Sequence, residues 1–224
     1  GSVRGLEGAP SLPKCSSSVR ALVLFQGDVV AGLSEGAIVR HGLGAQGKWV
    51  RVSEGAASVI ALTVSPSGER LAAVWANGVL RVTSDLVSWT EVLPVQEVAP
   101  TALGWGAPGL ALGDLSGSLR LFRGQPLTEV PARAEVHSAG VAALVWAGPR
   151  LVSLGYEGTL VRSAVLGGAG LEVEAQVAIK DAALALTAVN EDEVAIGLAT
   201  GAIEHRRLSD FHPVREFILG NVPV

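Results

Sequence analysis

The side chains best able to do chemistry in this chain are four histidines, His41, His137, His205 and His212, and a single cysteine, Cys15. A structural zinc site takes four Cys or His ligands in close pairs, and a catalytic site takes three. The histidines show no metal-ligand spacing and one cysteine cannot support a cluster, so no metal site is expected. Cys15 has no partner for an intrachain disulfide. Its place in a Ser-rich approach segment reads as a bland, exposed thiol rather than a catalytic one, which would need a pKa-lowering environment. Carboxylates gather at Glu191, Asp192 and Glu193, but beside Asn190 they read as a solvated turn between strands. No G-x-S-x-G elbow, no P-loop and no glycine-rich loop opening a helix is present. We therefore expect no catalytic residue, no cofactor and no enzymatic activity.

Composition narrows the partners. The net charge is -4 and the pI near 5.6. Proteins that bind nucleic acid or anionic lipid usually carry basic stripes, so no nucleic-acid partner is expected. Apolar residues make up 49% of the chain, yet stretches such as Val141 to Ala147 fall well short of the roughly 20 residues that cross a bilayer as a helix. No membrane span is expected. A cytoplasmic or nuclear setting is the expectation, although Gly1 and Ser2 look like a cloning scar that could have replaced a native targeting peptide.

The elements that position these residues come from an internal repeat. An Ala-Leu pair recurs at Ala21, Ala61, Ala102, Ala143 and Ala185, in steps of 40, 41, 41 and 42 residues. Each is followed 15 to 17 residues later by a glycine: Gly36, Gly78, Gly117, Gly158 and Gly201. A period near 40 with four short strands per unit is a propeller-blade signature. In the first unit the β-prone runs are 19–25, 29–33, 37–43 and 48–52; in the second they are 59–64, 71–75, 79–83 and 89–93. The glycines close the hairpin between second and third strands, where φ > 0 is needed. The Ala-Leu pairs suit innermost strands crowded at an axis. Trp105, Trp146 and Phe25, three or four residues further on, suit gaps between neighbouring sheets.

The expected fold is all-β, a β-propeller of about five four-stranded blades, either closed with five blades or an open, partial ring. The units are 19–58, 59–99, 100–139, 140–182 and 183–224, after an N-terminal scar and approach segment at 1–18. The run 214–219 gives the last unit its own fourth strand, and Val3 to Leu6 is too short to show whether an N-terminal strand closes the ring. Third strands carry a cation at a nearly repeated place: Arg40, Arg81, Arg120, Arg162 and His205. These lie four, three, three, four and four residues past the hairpin glycine, so a one-residue insertion is needed to put them on one face. Pairing with carboxylates of adjacent blades is expected, and a phosphate-binding ring is the sharper alternative.

The chain resembles the WD-repeat family of β-propellers over about residues 19 to 224. The fourth unit carries the likeness best, with Val136-His137 before Val141, then Leu151-Val152-Ser153, then Glu157-Gly158-Thr159-Leu160. In that family a His before the first strand, a Ser on the second, an Asp in the hairpin turn and a Trp on the third form a hydrogen-bonded structural network. The resemblance places His137, Ser153 and Glu157 in three of those slots, with Glu replacing Asp. The tryptophan slot holds His41, Thr83, Phe122, Ser163 and Arg206, and no unit carries the family's signature dipeptide.

In such propellers the hairpin turns and inter-blade loops share one rim, the usual partner-binding face. The resemblance gathers Glu35, Asn77, Asp114, Tyr156 and Glu157 there from the turns, and Glu54, Glu97, Glu135, His137 and Asp181 from the loops. Such a ring would focus negative potential and favour a basic segment. Tyr156, the only tyrosine, is the natural anchor. The expected function is a non-catalytic interaction module or scaffold subunit of a larger assembly. Its partner would be a protein bound through the rim (Glu35, Asn77, Asp114, Tyr156, Glu157, His137) by a basic segment, or at an open blade edge by a donated β-strand. The alternative is a small-molecule-binding or hydrolytic propeller with an axial pocket.

Overall fold

The structure, a computed structural model, describes Cys15 and residues 17–42, 48–130, 134–166 and 170–218. Among these there is no helix, so none is long and apolar enough to cross a membrane. The Val3 to Leu6 run lies outside the described residues.

The described strands fall into five antiparallel sheets, each built in chain order. Blade one holds β1 (Val19–Phe25), β2 (Asp28–Leu33), β3 (Ile38–Gly42) and β4 (Val50–Ser53). Blade two holds β5 (Val59–Val64), β6 (Leu71–Trp75), β7 (Leu80–Thr83) and β8 (Thr90–Leu93). In blade three, β9 (Pro100–Gly106), β10 (Gly109–Asp114) and β11 (Ser118–Arg123) are followed by two short pieces, β12 (Thr128–Glu129) and β13 (Ala134–Glu135), which both pair with β11. Blade four holds β14 (Val141–Ala147), β15 (Arg150–Gly155), β16 (Thr159–Leu166) and β17 (Gly170–Ala178). Blade five holds β18 (Ala183–Ala188), β19 (Glu193–Leu198), β20 (Ala202–Arg207) and β21 (Pro213–Ile218). This is the all-β propeller architecture the repeat predicts, and several strands match their expected spans to the residue.

The innermost strands share a feature that no residue pattern announces. In every blade the pairing of first and second strands slips just before the Ala-Leu pair, between Val19 and Ala21, Val59 and Ala61, Val141 and Ala143, Ala183 and Ala185, and opposite Gly113 and Asp114 in blade three. A bulge bends and twists its strand locally. Five at one position give the blades a common inner geometry.

Cores lie between blades rather than within them. One cluster joins blades one and two through Phe25, Ile38, Val59 and Trp75. A second joins two and three through Val74, Leu80, Leu112 and Phe122. A third joins three and four through Leu119, Leu121, Leu144 and Trp146. The fourth joins four and five through Leu154, Leu160, Val194 and Ile196. Burying each such side chain contributes roughly 1.5–3 kcal/mol. The aromatic residues serve as expected: Trp146 packs against Gly106 and its Nε1 donates to the Gly104 carbonyl at 3.3 Å. Among the described residues no core cluster joins blade five to blade one, so the blades form an open arc. Blade one's outer flank instead has Ala31, Leu33, Ala37 and Val39 packed with Cys15 and Trp49. Cys15 is thus half-buried rather than exposed, and burial pushes its thiol pKa up.

Candidate partner-binding rim

Backbone hydrogen bonds define the rim. In all five blades the residue after the second strand donates to the residue before the first, as in Ser34 to Ser18, Ala76 to Ser58, Leu115 to Ala99, Tyr156 to Gly140 and Ala199 to Ala182. In blades one to four the hairpin turn also accepts an N–H from the loop that leaves the blade: Gly55 to Gly36, Gln96 to Asn77, His137 to Gly117 and Ile179 to Gly158. Turns and inter-blade loops therefore lie on one side, stitched together blade by blade.

Along this rim most of the expected site residues have internal partners. His137, with its side chain buried, lies with Nδ1 2.7 Å from Glu157 Oε1 and Nε2 2.8 Å from the Ser153 hydroxyl. Glu157 Oε2 also accepts the Ala139 N–H at 3.3 Å. The three residues have the order of an acid, a base and a serine nucleophile, but Ser153 is wholly buried. No substrate carbonyl can reach its oxygen, so the arrangement ties a loop to a turn instead of activating a nucleophile. Asp114, also buried, accepts from the Ser116 and Ser118 N–H groups at 2.9 and 3.2 Å and from the Ser116 hydroxyl at 2.5 Å, which closes its own turn. Asn77 accepts the Val79 N–H at 3.4 Å. Glu35 pairs with Arg51 at 2.8 Å, and Arg51 also meets Glu54.

Tyr156 stands apart: it is 61% exposed, and Leu115 from the preceding blade's turn is 57% exposed. Both flank Gly140, where a side chain would collide with Tyr156 Cδ2 at 3.0 Å and Leu115 Cδ1 at 3.1 Å. Gly140 thus leaves room for both beside it, in one apolar spot between blades three and four. Leu115 is absent from the sequence-derived set, though an apolar residue in a hairpin turn was the available signal. Glu97 and Asp181 are exposed on inter-blade loops, whereas Glu135, expected on a loop, is exposed on β13, where it pairs opposite Ser118.

The third-strand cations correct two expectations. The hairpins show no insertion, because the residue two past each glycine pairs at the same level in all five blades, from Ile38 with Gly32 to Ile203 with Gly197. Side chains alternate faces along a strand. Arg40, Arg162 and His205 therefore lie on the face toward the next blade, and Arg81 and Arg120 on the opposite one. They also pair within their own blades: Arg40 with Asp28 at 3.0 Å, Arg81 with Glu91 at 3.7 Å, Arg120 with Glu129 through two contacts of 2.6 and 2.7 Å, Arg162 with Glu174 at 2.8 Å, and His205 with Glu193 at 3.4 Å. No continuous basic ring forms. Among the described residues, their reach across to neighbouring blades is to neutral groups, such as Gln96 from Arg120 and the Glu54 carbonyl from Arg81.

Two clefts, of about 290 and 370 Å³, lie between blades two and three. The first brings Glu97 and Asp114 beside Arg120; the second is lined by Arg70, Thr83, Ser88 and Pro126. Neither gathers carboxylates with a histidine, as a hydrolytic pocket would.

No protein-family model matches the chain, and no curated protein sequence matches it. Solved structures match its fold closely. The computationally designed Ika8 protein superposes with a TM-score of 0.72 at 21% identity, covering 93% of this chain and 64% of that one. U3-55K does so with a TM-score of 0.79 at 15% identity, covering 92% and 66%, and the WD40 β-propeller domain of Doa1 with 0.78 at 12%, covering 93% and 71%. The chain thus spans just under two thirds of the length of the first two. In fold it is a WD-repeat-like β-propeller.

Proposed function

We propose that the chain is a non-catalytic scaffold that holds a protein partner on the rim formed by its hairpin turns and inter-blade loops. The observation that carries this reading is the Tyr156–Leu115 spot. Two large side chains, each more than half exposed, lie against Gly140 on a rim that also exposes Glu97, Glu135 and Asp181, together with Val95 and Lys180. An exposed tyrosine beside an aliphatic residue is the composition of an interface anchor. Glu97, Glu135 and Asp181 along the same rim favour a basic segment and speed its encounter. Every described blade already holds its own fourth strand, so a donated strand could add only at an outer edge. That the fold is shared with WD40 domains and with a chain of the Mitotic Checkpoint Complex supports a role in assemblies. A cytoplasmic or nuclear setting belongs to the same proposal.

The test is affinity purification from the native source with three baits: the natural chain, a Tyr156→Ala/Leu115→Ser variant, and a Glu97→Lys/Glu135→Lys/Asp181→Lys variant. All five positions are exposed, so folding should be unaffected. A stoichiometric partner lost with the first variant and weakened by salt or by the second supports the reading. A partner retained by both moves the contact off this rim and overturns it.

A further inference from the structure

The two ends of the arc carry the halves of one contact that is repeated inside it. Within the arc, the first residue of an innermost strand inserts into a glycine on the second strand of the preceding blade. Val59 of blade two occupies the place a side chain at Gly32 of blade one would take, and Val141 of blade four does the same at Gly113 of blade three, where a Cβ would come within 2.7 Å of it. Both valines are fully buried. Gly32 and Gly113 pair with the alanine of their blade's Ala-Leu pair, Ala21 and Ala102. In blade five the residue that pairs with that alanine, Ala185, is again a glycine, Gly197.

Among the described residues the socket at Gly197 is empty: a Cβ there would meet only Ala185, at 3.4 Å. The matching plug is on blade one. Val19 holds the position of Val59 and Val141, yet it is 47% exposed. Its neighbours on the same face, Leu22 and Leu24, are 58% and 60% exposed, whereas among their counterparts Leu62, Leu144 and Trp146 are 8–9% exposed and Val64, Leu103 and Trp105 are half-buried beneath the preceding blade. Plug and socket of one chain do not meet. On the receiving side Ile203 is half-buried, while its counterparts Ile38, Leu80, Leu119 and Leu160 are fully covered.

We propose that blade five receives blade one of a second copy of this chain, head to tail, with Val19 of one copy seated at Gly197 of the other. The occupant is a second copy because this chain itself exposes the residue type that fills the other two sockets, at the same strand position and beside the same apolar neighbours. The outer half of blade one's flank is taken by Cys15 and Trp49, so the contact is confined to the inner strands. Because the two surfaces differ, the contact is heterologous and closes a ring or propagates. It is independent of the rim proposed above.

Sedimentation equilibrium of the natural chain should show mass rising with concentration to a dimer or larger. Val19→Asp and Gly197→Arg should each be monomeric alone, since one lacks the plug and the other the socket. Mixed in equal amounts they should form a one-to-one pair, because Val19→Asp keeps its socket and Gly197→Arg its plug. Leu22→Asp, also exposed, should behave as Val19→Asp does, which guards against a folding defect in one variant. A natural chain that stays monomeric up to about 1 mM, association untouched by these changes, or a mixture that fails to pair would each overturn the proposal.

Discussion

At the residue scale, one buried slot on the third strand is filled in five ways. His41 packs edge-on against Trp49 with ring centroids 5.5 Å apart. Thr83 accepts the Leu86 N–H at 3.0 Å, and Phe122 is plain core. Arg206 donates to the Phe211 carbonyl at 3.0 Å and to Glu204 at 2.6 Å. Ser163 is buried with a hydroxyl that has no partner among the described residues. A buried donor that is paired costs heavily to strand, whereas one already stranded costs nothing to remove. Ser153→Ala should therefore lower stability by about 1–3 kcal/mol, because it leaves His137 Nε2 unpartnered. Ser163→Ala should be neutral or stabilising. Urea denaturation of both separates them, and equal losses would show that the Ser163 hydroxyl is satisfied in solution. The resemblance already sets Ser153 in the His137 network; that the Ser163 hydroxyl lacks a partner among the described residues is decided by its surroundings.

At the element scale, the hairpin glycines differ in what surrounds them. Gly36 and Gly201 both have positive φ, +93° and +82°. At Gly36 a side chain would also collide with the carbonyl oxygens of Gly55 and Ala57, while at Gly201 no described atom lies within 4 Å. Gly201→Ala should cost only the backbone strain, about 1–2 kcal/mol. Gly36→Ala should cost more than twice that, since the loop leaving blade one must move as well. Thermal unfolding of the two variants checks the order, and similar midpoints would mean that the loop yields freely. Both glycines were legible as turn residues from spacing alone. The collision was not, because the oxygens come from a loop that folds back about twenty residues later.

At the scale of the whole molecule, an open arc of blades has unequal ends and a protected middle. In blade two, β6 is buried along its length, whereas in blade five β21 is exposed along its length and β18 is half-exposed or exposed throughout. Repeat architectures owe their stability to nearest-neighbour interfaces, and an end blade has one where a middle blade has two. Amides of β18 and β21 should therefore exchange with solvent well before those of β6 and β10, through openings of the end blade alone. Hydrogen exchange followed by mass spectrometry reads this directly; uniform protection from blade one to blade five would mean that the ring is closed in solution.

The amino-acid sequence determined the blade number, the strand spans and the hairpin glycines, since each rests on short-range chemistry: apolar alternation, turn-forming residues and the freedom of glycine at positive φ. It also placed His137, Ser153 and Glu157 in one network through their resemblance to a known arrangement. The faces of the arginines, the burial of Asp114, the Tyr156–Leu115 spot and the exposed ends were decided only in three dimensions. A one-residue change of offset sends a strand side chain to the opposite face, and the opening of the arc depends on how five blades stack on one another. That stacking is a property of the assembled blades, which no single unit of the repeat contains.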